Sequence, residues 1–175
     1  LDSPHGWNRR EAKRELLRRP KADTFKATQN PSKLSPEGQL HALWLSHGRG
    51  RLDAELLATL ANHDDHRIRS GAIRAAIRVG EPFPDTLPVF ADAATDPHPR
   101  VRLMAVCGLH EIGSPEALVA AAHAHRTGEP DALIEFRLAR FARLAADSWI
   151  PALASGDIGF PTESAAWLLA RSESP

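Results

Sequence analysis

Apolar and polar positions follow a helical period along this chain, and the pattern returns about every thirty residues. From Val101, the residues Met104, Ala105, Gly108, Leu109 and Ile112 fall at +3, +4, +7, +8 and +11, which draws one apolar stripe. Asp96 is placed as the N-cap of this helix, Pro97 in its first turn and Gly113 as its stop. The preceding stretch from Asp64 repeats the design, with Ile68, Ala72, Ala75, Ala76 and Val79 on the stripe and Gly80 as terminator. A shorter helix between the two, from Pro84 to Ala94, is read from Leu87, Val89, Phe90 and Ala94. No strand pattern competes.

Arg9-x-x-Ala12, Gln39-x-x-Ala42, Arg69-x-x-Ala72 and Arg102-x-x-Ala105 each open such a stretch, and their alanines are 30, 30 and 33 residues apart. Helical units of that period are too thin to bury their own apolar faces and stack on their neighbours, the design of an α-solenoid. The same pattern predicts helices near 4–19, 36–46, 52–62, 65–80, 84–94, 97–112, 115–126, 130–146, 147–154 and 162–171. Residues 20–35, with Pro20 and Pro31, read as an irregular connection. Small residues such as Ala72, Ala76, Ala105 and Gly108 allow close approach of helices in adjacent layers. The expected fold is all-α, a right-handed superhelix of about five hairpins with the first incomplete, filling residues 1–175 as one domain.

Composition narrows the function classes. The 175 residues are 42% hydrophobic, enough to bury a core, and carry no formal net charge. That zero hides an asymmetry. Residues 1–35 hold nine Lys or Arg against four Asp or Glu, so residues 36–175 hold 13 against 18 and sum to −5. An acidic body argues against nucleic acid as the partner. Cys107 is the only cysteine, which excludes an internal disulfide, a thiolate zinc cluster and a C-x-x-C-H haem attachment within this sequence. No run approaches the ~18 apolar residues of a membrane span. The first helix carries Trp7, Leu16 and Leu17 without a hairpin partner before it, which leads to the expectation of a piece of a longer chain.

Asp96, Pro97, Val101, Arg102 and Ala105 together resemble the second helix of a HEAT repeat, and residues 64–126 fit that pattern best. The resemblance implies that the aspartate caps the helix and that the arginine bonds carboxylates along the stack. Asp64, Arg69, Asp96 and Arg102 would form this structural ladder, with Gln39 and His63 as departures from it. Ser3 to Ala12, Leu40 to Leu45 and Leu52-Asp53 resemble more narrowly the HEAT-type region of large exported bacterial proteins. Such proteins also carry sugar-dehydrogenase-like propellers and cytochrome c domains. The resemblance implies an exported or periplasmic setting, and transfers no redox activity to these residues.

Candidate chemistry is sparse. His63 and His66 flank two aspartates that serve more naturally at a helix start, while His123 and His125 point about 200° apart on a helix. Neither pair makes a metal site. Cys107 lies beside an apolar stripe with no base in view, so no nucleophile is assigned. Of the four tryptophans, Trp44, Trp149 and Trp167 are expected to pack and Trp7 to be exposed. The arginines are better candidates. Arg67, Arg74 and Arg78 lie off their stripe and face outward, on the helix type that by resemblance lines the concave side of the stack, and Arg100, Arg140 and Arg143 would continue the row. Guanidinium groups so placed can take carboxylates or phosphates through paired donors.

These observations lead to a non-catalytic protein-interaction or scaffold module, without cofactor or metal, whose partner is another protein or neighbouring domains of the same chain. The alternatives from the same repeat resemblance are a HEAT-like DNA glycosylase or nucleic-acid binder, and a HEAT-like bilin lyase.

Overall fold

The computed structural model describes residues 1–20, 30–78, 83 and 85–172. Among them are ten α-helices, one 3-10 turn and no strand, so the all-α class holds. Val79, Gly80 and Pro84, assigned above to helices or helix ends, lie outside the described residues. The chain divides into two compact units, Leu1–Ala76 and Ile77–Pro175.

The first unit contains α1 (Gly6–Arg18), a 3-10 turn (Pro31–Lys33), α2 (Pro36–Gly48), α3 (Ala54–Ala61) and α4 (His66–Ala76). Caps fix where the helices begin. Ser35 accepts the Gly38 N–H at 3.2 Å and Asp53 accepts the Leu56 N–H at 3.0 Å. Helices α1, α2 and α4, which carry the Arg/Gln signature, pack one on the next, while α3 folds back on α4. Their backbones come close because glycine faces leucine at each step. A Cβ on Gly48 would stand 2.8 Å from Leu17, and one on Gly71 would stand 2.7 Å from Leu40. Leu43, Leu45, Leu57, Leu60 and Ile73 fill the interior. Leu16 and Leu17 are half-buried rather than open to water, whereas Trp7 is 65% exposed.

The second unit contains α5 (Leu87–Ala93), α6 (Pro99–Ile112), α7 (Pro115–Arg126), α8 (Ala132–Leu144), α9 (Ala146–Ser155) and α10 (Thr162–Ser172). Helix α6 packs against α5, α7 and α8. Contact on three sides buries Val106 and Cys107 as well as Val101, Ala105 and Leu109, so the single stripe read from the sequence was too narrow. Gly108 carries the closest approach, because a Cβ there would stand 2.6 Å from the buried Phe90 ring. Gly113 ends α6 in the left-handed conformation at φ 74°, which glycine adopts without steric cost. Trp149 is fully buried and donates its indole N–H to the Ala142 carbonyl at 2.8 Å.

In the first unit, burial against α1 holds His41 well below the ordinary imidazole value of 6.5, at about 4, with Lys13, Arg9 and Arg10 adding repulsion. An unfolded chain takes up this proton near pH 6.5 and the folded one only near 4. Stability from this group is therefore full above about pH 6.5, falls as the pH drops toward 4, and is lost below that value. Denaturant unfolding at pH 7, 5.5 and 4 should show this slope, and His41→Gln should flatten it. Gly108→Ala should destabilise the second unit by about 1–3 kcal/mol through overpacking on Phe90, read as a lower urea midpoint.

Candidate functional site

The repeat signature resolves into one local bond pattern. Arg102 donates from Nη1 to the carbonyls of Asp96 and Pro97, both at 3.0 Å, in the turn that leads into its own helix. Arg69 donates in the same way to His63 and Asp64, both at 2.9 Å, and Arg9 to Ser3 at 2.6 Å and Pro4 at 3.1 Å. In each case the acceptors lie six and five residues upstream. Gln39, the apparent departure, donates its amide to the Leu34 carbonyl at 3.0 Å, five residues upstream. The geometry shows a staple between each of these four helices and its entry turn. Arg102 is 2% exposed and has no carboxylate within ion-pair distance among the described residues.

The caps also shift. His98, not Asp96, is the N-cap of α6, since its Nδ1 accepts the Arg100 N–H at 3.2 Å. Pro99 then takes the first helical position, where a missing N–H is harmless. Asp96 instead accepts the His98 N–H at 2.8 Å, one turn ahead of the helix. At the other repeat, Asp65 accepts the Arg67 N–H at 2.8 Å, while Asp64 supplies only its main-chain carbonyl to the staple.

Of the six candidate arginines, Arg67 and Arg74 lie in the first unit and Arg78, Arg100, Arg140 and Arg143 in the second. Arg67 is occupied: its Nη2 lies 2.6 Å from Asp65, whose carboxyl the guanidinium holds far below the usual range. Arg78 lies past the end of α4, with its guanidinium 5.5 Å from the Phe83 ring centre. Arg74, Arg100, Arg140 and Arg143 are exposed, and their side chains have no hydrogen bond or ion pair among the described residues. Of the six candidates, these four are the ones whose guanidinium groups remain available.

Sequence reasoning missed Arg137. Its Nε and Nη2 both lie 3.2 Å from the Cys107 Sγ, so α8 ties to α6 through a thiol. Only the thirty-residue spacing hinted at that pairing. His125 stacks on Trp167 with ring centres 4.6 Å apart, and His63 Nδ1 accepts the Asp65 N–H at 3.0 Å. No three His, Cys, Asp or Glu side chains converge as a metal set among the described residues. A cleft of about 320 Å³ opens beside α8, lined by His110, Gly113, Phe141, Leu144, Ala145, Asp147 and Ser148. Burial pushes the His110 imidazole below its ordinary value. No described helix is long and apolar enough to cross a membrane.

Residues 53–135 match a family model for HEAT repeats, which makes this stretch a HEAT-like helical repeat region. Modules of this kind typically bind proteins or act as scaffolds. No curated protein and no solved structure matches the chain.

The staple yields an ordering of variants at position 102. Arg102→Gln removes a buried charge yet keeps a donor, as Gln39 does, and should stay within about 1 kcal/mol of the native stability. Arg102→Leu leaves two carbonyls without their donor and should lose about 1–3 kcal/mol. Urea unfolding of the two variants side by side checks the order.

Proposed function

We propose that this chain works by presenting fixed side chains to another protein, and that Arg100, Arg140 and Arg143 form the contact surface of the second unit. The observation that carries the reading is the division of labour among the arginines. Arg9, Arg69 and Arg102 are consumed in staples, whereas Arg100, Arg140 and Arg143 stay exposed without an acidic neighbour in bonding distance among the described residues. The helices fix where these side chains leave the backbone, and a planar guanidinium pairs with a carboxylate through two parallel donors. Arg74 offers the same chemistry on the first unit.

The proposal extends to setting. The resemblance of Ser3 to Ala12 and Leu40 to Leu45 to exported dehydrogenase and cytochrome c assemblies supports a place beside such domains, where the module would act as spacer or docking platform. A propeller or a C-x-x-C-H motif in the surrounding reading frame is the expected finding. A frame encoding neither overturns that placement.

Affinity capture with the full chain as bait tests the core reading. Proteins retained by the native bait should be lost by Arg140→Glu/Arg143→Glu, while helical content and unfolding midpoint stay unchanged. Equal retention by both baits, or none above a bead control, overturns the assignment of these arginines.

A further inference from the structure

Helix α8 carries an outward face of unusual composition. At 100° per residue, Leu133, Phe136, Arg140, Arg143 and Leu144 fall within an arc of about 100°. Leu133, Phe136 and Leu144 are 62%, 63% and 63% exposed, far more than large apolar side chains on a packed helix need to be. No acidic residue interrupts the arc. The one carboxylate of the helix, Glu135, lies about 200° from Leu133 and faces His125, 3.8 Å away. Arg140 and Arg143 have no partner among the described residues, and the cleft beside Leu144 has the rings of His110 and Phe141 on its wall. Its one acid, Asp147, sits in the first turn of α9, where it meets the positive end of that helix.

We infer that this face docks an acidic amphipathic helix of a partner protein. The partner's carboxylates sit on Arg140 and Arg143, its apolar ridge covers Leu133 and Phe136, and one apolar side chain enters the cleft beside Leu144. The inference rests on the protein-interaction reading and names its partner chemistry. Charge complementarity selects an acidic occupant, since a surface on which Arg140 and Arg143 stand unpaired repels a basic one. The apolar half selects protein over nucleic acid. Phosphate binding gains nothing from three exposed aliphatic and aromatic side chains in line, whereas the apolar face of a helix does. Leu133 to Leu144 spans three helical turns, the length over which two helices interlock ridges and grooves.

The test uses the full chain and fluorescein-labelled peptides read by anisotropy. One peptide is an 18-residue helix with a leucine stripe flanked by glutamates, the second a scrambled version, and the third a leucine/lysine counterpart. A 20-base-pair DNA duplex is the fourth probe. The leucine/glutamate helix should bind at least tenfold more tightly than the scrambled or leucine/lysine peptide. Arg140→Glu/Arg143→Glu should weaken it at least tenfold and turn the preference toward the lysine peptide, and Phe136→Ala should weaken it at least threefold. Arg51→Glu, an exposed change in the first unit, should leave it unaltered. Equal binding of the scrambled peptide, binding of DNA through Arg140 and Arg143, or no peptide binding each overturns the inference. If the peptides fail while affinity capture still depends on Arg140 and Arg143, the acidic helix falls and the protein-interaction reading stands. If capture fails as well, both fall.

Discussion

Turns that lead into helices leave main-chain carbonyls in need of donors, and at four helices of this chain one side chain meets that constraint. Arg9, Gln39, Arg69 and Arg102 reach back five or six residues and donate to the carbonyls of the entry turn. The bond ties each of these helices to the turn that precedes it. Buried carbonyls without donors would cost about as much as a lost hydrogen bond each. An arginine can serve two at once. Glutamine, with one amide, serves the single carbonyl of Leu34.

Beyond these ties, small residues decide how near the helices come. Gly48 meets Leu17, Gly71 meets Leu40 and Gly108 meets the Phe90 ring, each at a distance where an added Cβ would make the neighbour shift. Close backbones use up the inward sides of the signature helices, and polar side chains on them are pushed to the rim or into staples. On α8, Arg140 and Arg143 stand exposed beside Leu133, Phe136 and Leu144, apolar groups that the second unit itself does not cover. The proposed binding face would thus follow from the same packing that builds the scaffold.

Helix existence and most helix ends followed from periodicity and turn chemistry. Ser114, Asp53 and Asp131 cap where a short polar side chain precedes an apolar run, and Gly113 stops α6 where a left-handed residue is needed. The start of α6 did not follow, because Pro97 and Pro99 are both compatible with a first turn and His98 decides between them through its ring nitrogen. The burial of Val106 and Cys107 also escaped the stripe. Amphipathicity reports one buried face, and α6 has neighbours on three.

By itself the sequence determined the all-α class, the thirty-residue period, the positions of the small residues and the identity of the signature side chains, because each of these is local or periodic. Only the tertiary structure decided which acceptors Arg69 and Arg102 reach, that Arg67 is neutralised by Asp65 while Arg140 and Arg143 are not, and that Arg137 meets Cys107. The reason is geometric. Arg67, Arg69 and Arg102 find their partners within six residues of chain, in turns whose shape the residue order does not state, while Arg137 reaches Cys107 across two packed helices. A guanidinium is spent or available according to which atoms lie within about 3 Å of it.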